Sequence, residues 1–115
     1  MIKRISIPIY GGKLVLIQVQ DLKEIPSRYD PDFDTDRCSG LAYHLESSHR
    51  RCTEFIIAVT YNITAGLIAH EAYHIVIKIY QTFYMDYDTV NNEPAAHLLE
   101  WIVNQCNKYF VYNGC

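Results

Sequence analysis

Two apolar runs near the start of the chain, residues 2–9 and 13–20, are separated by Tyr10-Gly11-Gly12. Paired glycines supply the positive φ angles of a tight connection, so these runs predict an N-terminal β-hairpin. Residues 21–39 break the pattern with Pro26, Pro31 and five aspartates, which predicts a loop with an irregular turn. A connection of that length in a compact domain tends to carry function, and residues 29–37 are therefore a candidate lid or rim of a site. Residues 41–46 and 54–61 flank the polar turn Ser47-Ser48-His49-Arg50-Arg51 and predict a second hairpin. Its later strand, Phe55-Ile56-Ile57-Ala58-Val59, is the more apolar and the better buried of the two. From Thr64 the period becomes helical, with Asn62 or Thr64 as N-cap and no proline before Pro94. At about 100° per residue, His70, Gln81, His74, Lys78 and Glu71 share one arc of the helix, and Ile68, Ala72, Ile75, Val76 and Ile79 occupy the remainder. After a connector over residues 84–92, Leu98, Leu99, Ile102, Val103, Cys106, Tyr109 and Phe110 form the apolar face of a second helix. Glu93, His97, Glu100 and Asn104 share its polar face. The order of elements predicts an α+β fold in a single domain over residues 1–115: a small antiparallel sheet of β-hairpins, a site-bearing helix and a second, antiparallel helix.

Composition narrows the classes without naming a function. Half of the 115 residues are apolar and the net charge is -3, which suits one modest core and gives no broad cationic surface for nucleic acid. Ser6, Pro8, Gly11, Gly12 and Lys13 interrupt the N-terminal apolar run before a signal-peptide core could form, and no stretch reaches membrane-spanning length. The expected compartment is a reducing cytoplasm, where Cys38, Cys52, Cys106 and Cys115 remain thiols. Ten tyrosines are many for so short a chain, and most are expected to serve packing.

The chemistry concentrates at His70-Glu71-Ala72-Tyr73-His74. Histidines four apart on a helix project side by side, so both imidazoles can reach one zinc ion at about 2.0–2.1 Å. Glu71 lies about 100° round the helix from His70, where its carboxylate misses the ion but reaches a water beside it, the place of a general base. A polar stripe on an amphipathic helix is ordinarily a solvated face, and short motifs match by chance. Here the stripe lies on a helix apolar nearly everywhere else, and a carboxylate follows at a workable distance. Glu93, 19 residues beyond His74 and just before Pro94, is the expected third ligand at the start of the second helix, giving His2Glu ligation with one open position. His97, one turn on, is the rival ligand. With Glu93 on the metal, His97 becomes an outer partner or a donor to a developing oxyanion, a catalytic role beside that of Glu71.

The segment over residues 55–101 resembles the zincin metallopeptidases, and its His2Glu set is similar to that of a very small gluzincin. It is also similar to short phage- and prophage-encoded HExxH proteins, in which an apolar strand and the HExxH helix precede an acidic connector and a segment like Asn91-Asn92-Glu93-Pro94-Ala95-Ala96-His97-Leu98-Leu99. The resemblance implies zinc on His70, His74 and Glu93, Glu71 as base, and hydrolysis of a peptide bond. Those proteins commonly carry an aromatic residue where this chain has His97. In zincins the strand before the site helix commonly pairs with an extended peptide, which points to residues 54–61 and to a peptide or protein substrate. The alternative is a metal-stabilised phage or prophage module that modulates a partner protein and cleaves nothing.

Two other signals are weaker. Cys38, His44, His49 and Cys52 match no zinc-finger spacing, and a hairpin turn accounts for His49. Asn62-Ile63-Thr64 fits a glycosylation sequon, but helix capping explains it in a chain without a secretion signal.

Overall fold

A computed structural model of the chain describes residues 1–31 and 39–112. The α+β fold holds: a four-stranded sheet with two helices on one face. The strands are β1 (Ile2–Ser6), β2 (Lys13–Gln18), β3 (Gly40–Leu45) and β4 (Glu54–Val59), and the helices are α1 (Ala65–Thr82) and α2 (Glu93–Tyr109). Both hairpins form as antiparallel pairs, β1 with β2 and β3 with β4. They join through a parallel pairing of β2 with β4, so the sheet is mixed rather than wholly antiparallel, in the order β1-β2-β4-β3. The reason lies in composition. Leu14–Ile17 and Phe55–Val59 are unbroken apolar runs, and such strands are stable only at the centre of a sheet covered on both faces.

Alternate residues serve the two faces. Leu14, Leu16, Phe55, Ile57 and Val59 pack against Ile68, Ala72, Ile75 and Ile79 of α1 and Leu98, Ile102 and Cys106 of α2. Val15, Ile17, Ile56 and Ala58, with Leu41 and Tyr43, face the opposite side, where Leu22, Ile25 and Tyr29 cover them. Residues 21–31 thus do more than connect. They form two 3-10 turns, Leu22–Glu24 and Ser27–Tyr29, the first closed by a capping box in which Asp21 and Glu24 bond each other's backbone N–H. Tyr29 belongs to the core on the face away from the helices, and Tyr43 Oη donates to its carbonyl at 2.5 Å. The remainder of the candidate lid or rim, residues 32–37, lies outside the described residues, as do Cys38 and Cys115.

Glu54, at the start of β4, is buried on that second face and takes Arg28 at 2.8 Å and Arg4 at 3.2 Å, tying the outer turn and β1 to the sheet centre. At the far end, the buried Gln18 amide donates to the carbonyls of Thr60 and Val111 and accepts from the Val111 N–H. That contact returns the end of α2 toward the N-terminal end of α1, while Ala95, Ala96 and Leu99 meet Tyr73 and Val76, so α2 runs back along α1 as expected. Thr64 caps α1 by accepting from the Leu67 N–H at 3.1 Å, the structural role its sequon position suggested. Cys52 and Cys106 are free thiols, and burial pushes Cys106 up to about 12. Most of the tyrosines serve packing as expected: Tyr29, Tyr43 and Tyr80 are buried and Tyr10, Tyr109 and Tyr112 pack against the core, while Tyr73, Tyr84 and Tyr87 stand exposed.

The turn between β1 and β2 uses both glycines at positive φ, +91° for Gly11 and +80° for Gly12. A Cβ on Gly12 would stand 2.9 Å from the Thr53 carbonyl oxygen and 3.1 Å from the Phe55 ring. Gly12→Ala is therefore expected to cost about 1–3 kcal/mol, read as a lower urea midpoint with an unchanged m-value. An unchanged midpoint would show that the turn relaxes freely.

Candidate functional site

The site is built where α1 passes beside β3. Thr64 fixes the start of α1, and Ile68, Ala72, Ile75 and Ile79 fix its rotation by docking on the sheet. That rotation turns His70 and His74 to solvent and tucks Glu71 inward. The His70 side chain is 65% exposed and that of Glu71 only 8%, which separates an accessible ligand from a sheltered carboxylate. The shelter comes from β3, whose helix-facing positions Gly40 and Ala42 are small. A Cβ on Gly40 would stand in ordinary contact, 3.4 Å from Leu67 and 3.5 Å from Glu71, so strand and helix approach closely there.

The two histidines converge. Their Nε2 atoms lie 3.2 Å apart, with the rings near perpendicular at 79°. Two nitrogen ligands of a tetrahedral zinc at its usual bond length are about 3.3 Å apart, so the pair already has the spacing of a shared ion. Two lone pairs do not face each other at this distance unaided: either one ring donates its N–H to the other or a cation sits between them. Glu71 Oε1 is 3.7 Å from His70 Nε2, beside the pair. Burial raises the Glu71 carboxyl above the ordinary carboxylate range, against the opposing pull of His70 and His74. Glu71, His74 and Lys78 line a shallow recess of about 310 Å³ whose other wall is Gly40, Leu41 and Ala42. The carboxylate thus stands between the imidazole pair and the strand.

The other expected site residues are placed elsewhere. Glu93 opens α2, as Pro94 at the first turn dictates, but its carboxylate is exposed and pairs with His97 Nε2 at 3.5 Å. His97 lines a separate apolar recess with Pro8, Ile9, Tyr10, Pro94, Leu98 and Trp101, on the flank of α2 away from Tyr73 and Val76. Among the described residues, no three His, Cys, Asp or Glu side chains gather as a ready metal cage. The structure therefore brings together His70, His74 and Glu71, and keeps Glu93 and His97 with each other.

The strand expected to receive a peptide is also different. β4 is paired on both sides, with β2 and with β3, and has no open edge. Its neighbour β3 ends the sheet, and β3 forms the wall of the recess. The signal in the sequence was the small pair Gly40 and Ala42 at alternate positions of a strand, which marks a close approach of another element. Among the described residues, no helix is long and apolar enough to cross a membrane. No protein-family model matches the chain, and neither the curated proteins nor the solved structures compared with it include a match.

Proposed function

We propose that the chain is a zinc-dependent metallopeptidase acting in the cytoplasm on a peptide or protein substrate. The observation that carries this reading is the 3.2 Å convergence of His70 and His74 with a sheltered carboxylate beside them. His70 and His74 would hold the ion through Nε2, and Glu93 is the proposed third ligand, its exposed carboxylate paired among the described residues with His97. Bound there, zinc supplies a Lewis acid that polarises a carbonyl and acidifies water. Glu71 takes a proton from the attacking water at its carboxylate oxygen and passes it to the departing amine nitrogen, so that water adds across the broken C–N bond. The outer edge of β3, unpaired among the described residues, receives the substrate as an added strand, which lays its backbone along the recess holding Glu71 and His74.

A second reading, a metal-holding module that modulates a partner and cleaves nothing, draws on the position of Glu93, paired with His97 rather than with the two histidines. The experiment that separates the two is digestion of an unbiased peptide library by the zinc-loaded protein beside its Glu71→Gln variant. Cleavage lost in the variant supports the peptidase. Zinc uptake without cleavage in either protein supports the module.

A further inference from the structure

The strand and the helix that wall the recess of Glu71 and His74, β3 and α1, both run on past His74. From Gly40 and Ala42, next to Glu71 and His74, the strand leads to Glu46, where a second and more polar recess of about 420 Å³ opens between the turn after β3 and the end of α1. Ser47, Ser48, Arg50, Gln81 and Tyr84 line it. The Arg50 guanidinium lies 4.1 Å from the centre of the Tyr84 ring. Tyr84 is held in the left-handed region at φ 53°, its N–H donating to the Gln81 carbonyl and that of Met85 to the Tyr80 carbonyl. The turn bearing Arg50 is fixed in its own way, with the His49 ring accepting from the Arg51 N–H at 3.3 Å.

Stacking occupies the face of a guanidinium and leaves its in-plane N–H groups free for a carboxylate. Among the described residues Arg50 makes no ion pair, although the chain as a whole is acidic. Lys78, half-buried in the first recess, adds a second cation on the way. Glu46, the one acid among the described residues that line this recess, has its carboxylate 3.4 Å from His44 Nε2. We propose that this second recess is a subsite for an acidic side chain, Asp or Glu, of an extended peptide laid along β3, and that Arg50 selects it. This rests on the peptidase reading above. Ala42 and Glu46 are four residues apart, about 13 Å of extended chain, and side chains alternate with period two. The selected acid therefore belongs about four positions from the residue lying beside His74.

The test is the cleavage profile of a proteome-derived peptide library by the zinc-loaded wild-type protein, Arg50→Glu and Arg50→Lys, each checked for folding by thermal melt. Wild type is expected to enrich Asp and Glu about two- to fivefold at one position roughly four residues from the cut, the range of a solvent-exposed ion pair. Arg50→Glu reverses that preference toward Lys and Arg, and Arg50→Lys retains it in weakened form. Cleavage with the same profile in wild type and Arg50→Glu overturns the subsite and leaves the peptidase standing. No cleavage by any of the proteins overturns both.

Discussion

Glu71→Gln is expected to lower peptide hydrolysis by about 10²–10⁴-fold while leaving the zinc content unchanged. The substitution keeps the volume of a side chain that is 8% exposed and packed against Gly40, so neither α1 nor β3 has to move. It removes only the ability to take a proton beside the imidazole pair. His70 and His74, one turn apart on the same helix, keep their 3.2 Å spacing because the helix geometry sets it, not the carboxylate. Rates of wild type and variant on the same peptide pool, with metal content measured on the same samples, check the prediction. Equal rates would remove Glu71 from the reaction and with it the peptidase assignment.

Phe55→Ala is expected to destabilise the fold by about 3–5 kcal/mol, a large share of the stability of a domain of this size. Phe55 is fully buried on the helix-facing side of β4. Its ring lies 6.3 Å from that of His44 on β3 and 6.4 Å from that of Phe83 at the end of α1, and it backs onto the Gly12 turn. Removing the ring leaves a cavity where the two hairpins and α1 meet. Thermal unfolding should fall by about 10 °C or more. A shift of only a few degrees would mean that the helices close over the gap, and that β3 and α1 are not held in register through this residue.

Much of the fold is legible in the sequence because periodicity reports local structure. The glycine pair marks the first turn, Thr64 marks the start of α1, and Pro94 places Glu93 at the head of α2, all as found. The pairing of hairpins is not local. Nothing between β2 and β3 announces that the chain crosses a face of the sheet and sets β4 parallel to β2. Its trace in the sequence is the unbroken apolar runs of β2 and β4, which place Val15, Ile17, Ile56 and Ala58 on the face away from the helices. The same distinction divides the site. His70, Glu71 and His74 sit on one rigid helix, so their relation follows from spacing alone. Where Glu93 and His97 point depends on how α2 is rotated about its axis. Leu98, Ile102 and Cys106 decide that rotation by entering the core, and it leaves His97 facing the β1–β2 turn. The edge position of β3 follows from strand order, which no short motif encodes.

The most direct test is zinc stoichiometry, measured on tag-free protein after equilibration with the metal, for wild type, His70→Ala, His74→Ala and Glu93→Ala. One zinc per chain is expected for wild type, with loss in either histidine variant and weakened retention in Glu93→Ala. Wild-type protein that takes up no zinc, or that holds it equally well without His70 and His74, would contradict the account.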